Sequence, residues 1–202
     1  MSAIARPLSR TVPWEWPLDA PPMFPDAPGR FGSKRKHDVH TGVDLYCPPD
    51  TLVRAVEDGW VVGIEPFTGR GVVDPVTGKE STWWNDTSAV LVEGARGVVV
   101  YGEVDASGGF NAQPRPLWVG KRVRAGEVIA IVSEPVLKRF KGRPTMMLHL
   151  ELMATGSREC AWWPLGKKRP HGLLDPTPFL EASAPWAPVF DLKTYDGVHF
   201  RK

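Results

Sequence analysis

Three side chains form a set able to hold one divalent metal: His40, Asp44 and His149. The first two share the segment His40-Thr41-Gly42-Val43-Asp44. In a straight strand this spacing would hold them ~13 Å apart, at ~3.3 Å per residue. Two ligands of one Zn²⁺, each ~2.1 Å from it, lie no more than ~4.2 Å apart. The backbone must therefore bend, and Gly42 is expected to supply the bend. Taken alone, the pair reads equally well as a loop histidine hydrogen-bonded to a loop aspartate. His149 is the best third ligand. It lies in Met147-Leu148-His149-Leu150-Glu151-Leu152, where strand alternation puts Met147, His149 and Glu151 on one face and the leucines on the other. The leucines would face a core, and His149 a cleft or solvent. Three protein ligands leave a fourth position for water, the arrangement of a catalytic zinc. The alternative for His149 is an ordinary surface-strand histidine.

The elements that must position these residues read as short strands. The chain has 202 residues, 42% hydrophobic and 24% charged, as expected for one globular domain with extensions. Its 21 Pro and 20 Gly break long helices, and no 11-residue stretch carries a convincing 3.6-residue period. Leu52 to Val56 ends at Asp58-Gly59 and is followed by Trp60 to Ile64, which predicts a hairpin. Ala89 to Glu93 and Val98 to Tyr101 predict another. Val119 to Val123 and Val128 to Val132 flank a turn at Ala125-Gly126, and Met146 to Met153 is the last strong strand. The expected class is mainly β: an antiparallel, sandwich-like core with a zinc cleft, long loops and extended termini. Residues 1–30 read as a Pro-rich arm, pinned by Trp14 and Trp16. Residues 31–181 read as the domain and 182–202 as a surface tail. Residues 66–87 read as an insertion whose Trp83, Trp84 and Asn85 either wall a substrate groove or simply pack as a loop.

The order of motifs resembles the lysostaphin-type zinc metallopeptidases, which cleave peptide cross-links of bacterial cell walls and share a duplicated hybrid motif fold. H-x-G-x-D is His40-Thr41-Gly42-Val43-Asp44, and A-x-x-D-G-x-V is Ala55 to Val61. V-G-x-x-V-x-x-G-x-x-I runs intact from Val119 to Ile129, and D-P-x-x-x-L from Asp175 to Leu180. The resemblance covers about Phe31 to Glu181. It implies one Zn²⁺ on His40, Asp44 and His149, and peptidoglycan peptides as substrate. It also locates two departures. The family's Tyr-x-His is Tyr101-Gly102-Glu103 here, and its H-L-H-F-E is Met147-Leu148-His149-Leu150-Glu151. Both histidines that flank the attacking water without binding metal are thus replaced. Met147 has a thioether, which donates no hydrogen bond to an oxyanion. Glu103 is either a replacement general base or a carboxylate turned to solvent. Tyr101 and Met147 are expected beside the groove.

Two function classes follow: a zinc endopeptidase with an altered site, and a zinc-stabilised module that binds wall or protein without cutting. The Val119 to Val132 segment also resembles biotinyl and lipoyl carriers, but no lysine stands at a matching hairpin tip. A net charge of +2 is too mild for a nucleic-acid binder. A local basic run, Lys34-Arg35-Lys36, reads as a solvated loop or a site for an anionic partner. No stretch approaches the ~20 apolar residues of a membrane span, and Met1 to Arg10 lacks the apolar core of a secretory signal. Synthesis in the cytoplasm with action at the wall would then suit a phage lysis enzyme or virion component, or a protein whose secretory signal has been removed. The Pro-rich arm is a candidate docking segment for a protein. Cys47 and Cys160 are expected as two buried free thiols or one disulfide.

Overall fold

The computed structural model describes residues 13–20, 29–69, 73, 78–80, 84–108, 116–132, 135–137 and 145–185. In chain order the elements are β1 (Val43–Tyr46), β2 (Thr51–Arg54), β3 (Gly59–Thr68), β4 (Thr87–Gly94), β5 (Val98–Val104), β6 (Arg122–Val123), β7 (Val128–Val132), β8 (Met147–Met153), β9 (Leu173–Leu174) and α1 (Thr177–Ser183). The protein is mainly β, and all its strand pairs are antiparallel. One sheet runs β1-β8-β5-β4-β3-β6, with β9 beside β8, and a second holds β2 and β7. No helix among the described residues is long and apolar enough to cross a membrane.

Alternation assigns the two faces of the large sheet. Val43, Leu45, Val90, Val92, Val99, Tyr101, Leu148, Leu150 and Leu152 face the main core, where Val53, Ile129, Ala130 and Val132 of the small sheet meet them. Ala89, Leu91, Val98, Val100 and Met153 form a second cluster on the opposite face, covered by Phe31, Phe67, Cys160, Ala161 and Trp163. Asp44, His149 and Glu151 alternate onto that second face. Both faces of β8 are therefore covered, and His149 is buried rather than open to solvent.

Two predicted hairpins do not form. β2 pairs with β7, whereas β3 pairs with β4 and β6. Ala55 and Val56 are both fully buried, because the chain there crosses from one sheet to the other. Ala55 bonds to the backbone of Gly126 and Glu127, and the Val56 carbonyl accepts from Glu15. Asp58-Gly59 thus turns a corner between sheets. Likewise β6 and β7, on either side of the Ala125-Gly126 turn, belong to different sheets. The β4–β5 hairpin forms as its sequence implies, closed by Gly94 N–H to Gly97 O.

The described part of the arm is bound to the body. Trp14 is buried and stacks on Phe179 of α1 at 5.0 Å. Leu18 bridges Val53, and Asp19 pairs with Arg54 at 2.6 Å. Cys47 and Cys160 are free thiols; burial pushes Cys47 up to about 12.

Candidate metal centre

β1 and β8 are adjacent, and their register sets Asp44 opposite His149. His40 reaches them from the loop before β1. His40 Nε2 lies 3.0 Å from Asp44 Oδ1, His149 Nδ1 lies 2.9 Å from the same oxygen, and the two ring nitrogens are 2.9 Å apart. The three converge as a candidate metal group, all buried. The bend at Gly42 closes the gap, though without a left-handed φ. Glycine is needed there for clearance. A Cβ would lie 2.4 Å from the Leu150 carbonyl oxygen and 2.8 Å from His149 Nε2.

The surroundings decide which ring nitrogens carry protons. His40 Nδ1 lies 3.0 Å from the Arg30 carbonyl, which only accepts, so this nitrogen donates and the Nε2 lone pair faces inward. His149 Nε2 lies 3.1 Å from Glu151 Oε1 and donates to it, which turns the Nδ1 lone pair inward in the neutral ring. Glu151 is held in turn by the Thr41 hydroxyl and the Ala161 N–H. Arg35 Nη2 takes Asp44 Oδ2 at 2.8 Å and leaves Oδ1 to the centre. Two nitrogen lone pairs and a carboxylate oxygen thus crowd one point. Such a triangle is repulsive without a cation. Its ~3 Å edges approach the ~3.4 Å edge of a tetrahedron around Zn²⁺ with ligands at ~2.05 Å. The donor set fits a borderline-soft divalent ion, and Arg30 O, Glu151 and Arg35 each hold one of the three side chains in place.

Titration agrees with the need for positive charge. Burial opposes protonating His149, but Asp44 and Glu151 outweigh it and push the ring up to about 9. Burial would raise Asp44, yet His149 and His40 beside it hold the carboxyl well below its usual range. Burial lowers His40, which stays neutral.

Glu103 occupies the same face by an irregular route. Strict alternation from Tyr101 would send it into the main core. Instead β5 bulges: Tyr101 pairs with Val90 and Val104 with Ser88, so three steps on β5 match two on β4. Glu103 takes φ 62°, the left-handed region, and its side chain turns to the second face while Val104 regains the core. There Oε2 accepts from Thr87 Oγ1 at 2.9 Å and Thr68 Oγ1 at 3.0 Å. Burial is the main cause that pushes Glu103 up to about 7; the two threonines and the nearby His149 work against it. Gly102, its neighbour, pairs with His149, and Phe67 sits 5.2 Å from the His149 ring.

Tyr101 does not line a groove. It is fully buried, and its hydroxyl oxygen accepts from Val56 N–H at 2.8 Å. Met147 is half-buried beside Tyr46 of β1. Trp84 is exposed and bridges Leu137. Asn85 donates to the Pro135 carbonyl, and its own carbonyl lies 3.0 Å from the Thr68 hydroxyl, which ties the insertion to the Glu103 cluster. Trp83 lies outside the described residues. Arg35, Arg30, Thr68 and Thr87 carry no sequence signal for this site, since their roles depend on contacts between distant segments. Glu151 was visible only as part of the β8 motif.

No family profile matches the chain, and no curated protein does. Among solved structures, a Pseudomonas aeruginosa protein assigned to peptidase M23 superposes with a TM-score of 0.45 at 17% identity, over 89% of this chain and 55% of that one. Lysostaphin gives 0.43 at 18% identity, over 86% and 56%. CbpA from L. salivarius REN gives 0.42 at 18% identity, over 85% and 97%. The chain spans about half the length of the first two. What this chain does is read from its own residues.

Proposed function

We propose that the protein is a zinc-dependent endopeptidase acting on peptidoglycan cross-link peptides through an altered catalytic site. The observation that carries the reading is the convergence of the His40 Nε2, His149 Nδ1 and Asp44 Oδ1 lone pairs on one buried point, each fixed by its own partner. The motif order from His40 to Leu180 supports the choice of zinc and of peptide substrate. When bound, Zn²⁺ would polarise the scissile carbonyl and acidify the attacking water. The chain's residues supply the rest. Arg30 O and Glu151 orient the two imidazoles, and Arg35 keeps Asp44 single-handed toward the centre. Phe67 screens His149 from water on one side. Glu103 takes the proton from the attacking water; a carboxyl raised to about 7 suits a base working near neutral pH. Met147 offers no donor to the developing oxyanion, a loss worth ~10²–10³ in rate.

A binding role without turnover is the second reading, favoured by Met147 alone. One experiment separates the two. Zinc-loaded protein is incubated with purified peptidoglycan beside Glu103→Gln and His149→Ala. We expect fragment release by the parent, strong loss in both variants, and zinc retained by Glu103→Gln. One tightly held zinc per chain with no fragments from the parent would make the protein a binding module.

A further inference from the structure

The basic run Lys34-Arg35-Lys36 has a counterpart far along the chain, Lys167-Lys168-Arg169. The fold joins them. Residues 33–39 make a tight turn, closed by the Lys34–Val39 bridge and by Arg35 N–H to Asp38 O. Val39 N–H donates to Trp163 O, Leu165 N–H donates to His37 O, and Asp38 bridges Pro164. Residues 33–38 and 163–171 hold six Lys and Arg against one acid, Asp38, a net +5; the whole chain carries +2, so everything else sums to −3. Lys34, Lys36, His37, Lys167, Lys168 and Arg169 are exposed, and Arg35 links this face to Asp44 of the metal centre.

Two large apolar side chains on the 162–169 segment are exposed beside this basic stretch of chain. Trp162 is 43% exposed and Leu165 44%, the latter between His37 and Lys167. The loop that carries them is braced: Trp163 Nε1 donates to Lys167 O, Lys167 N–H donates to Pro164 O, and the Arg169 guanidinium lies 4.8 Å over the Phe31 ring. Cations alone would suit any polyanion. Exposed cations on the same two segments as an exposed Trp and Leu suit a surface with anionic headgroups above an apolar layer, where tryptophan partitions well. We propose that this face docks on an anionic lipid bilayer, with Trp162 and Leu165 entering the headgroup boundary and the two basic runs meeting lipid phosphates. The inference does not depend on peptidase activity.

The test is co-sedimentation of the full chain with phosphatidylcholine vesicles, with and without phosphatidylglycerol, alongside binding to soluble linear polyphosphate. Of the two kinds of vesicle we expect binding only to the anionic one, weakening with salt, and weaker electrostatic binding to polyphosphate. Each cation removed should weaken it about fivefold, so Lys34→Ser with Lys36→Ser, or Lys167→Ser with Lys168→Ser, should each cost about 30-fold. Trp162→Ser with Leu165→Ser should weaken vesicle binding and leave polyphosphate binding unchanged. Lys79→Ser with Arg122→Ser, the same charge taken from elsewhere, should change neither. Absence of binding to anionic vesicles at low salt would overturn the proposal. So would an equal loss in the Lys79/Arg122 pair. Vesicle binding indifferent to Trp162 and Leu165 would also overturn it and leave a site for soluble polyanions.

Discussion

Glu151 is not one of the three candidate ligands, yet it fixes which nitrogen His149 turns to the centre. Glu151→Gln should weaken zinc binding by about 10–100-fold, the usual cost of losing an outer partner, in competition with a chromophoric chelator. Zinc must also displace the proton that His149 holds up to about 9 in the metal-free chain. Binding at pH 7 should therefore release about one proton, and apparent affinity should fall about tenfold per pH unit on acidification, readable by titration in weakly buffered solution. That His40, Asp44 and His149 converge was legible in the sequence because residue type and local motif carry it. Their tautomers were not, since these depend on the Arg30 carbonyl and on Glu151. Arg35 belongs to a run that the sequence leaves as a solvated loop or a site for an anionic partner, and its grip on Asp44 comes only from the fold.

At the scale of elements, the bulge in β5 and the bend before β1 determine whether a site exists. The bulge holds a non-glycine residue at positive φ, a strain of about 1–3 kcal/mol. Asparagine tolerates that conformation better. Glu103→Asn should raise stability to chemical denaturation by about 1 kcal/mol while hydrolysis collapses, so that stability and activity move in opposite directions. Gly42→Ala should do the reverse of a gain. Its Cβ would strike the backbone oxygen of Leu150, which cannot yield as a flexible side chain does, and the cost should be about 1–3 kcal/mol with loss of zinc affinity. Strand existence and the mainly β class followed from short apolar runs and turn residues. Partnering did not: Asp58-Gly59 signals a turn, but burial of both Ala55 and Val56 makes that turn a crossing between sheets. The seven-residue α1 is too short to show a helical period, and its Leu180 is its buried anchor.

Across the whole molecule, the arm, the two sheets and α1 share one core. Trp14 closes it by packing on Phe179, so Trp14→Ala should destabilise the protein by about 3–5 kcal/mol in a denaturant titration, a loss as large as for an internal aromatic. The same long-range construction governs the metal centre. His40 and His149 are 109 residues apart in sequence, and Ala161 and Trp163, which secure the site, come later still. A chain growing at about 5–20 residues per second makes His149 about 5–20 s after His40. During that interval a ribosome-bound chain holds two of the three converging residues, His40 and Asp44, and no completed β8 to supply the third. Whatever chemistry the centre performs is thus withheld from the nascent chain until β8 has been made and has folded beside β1.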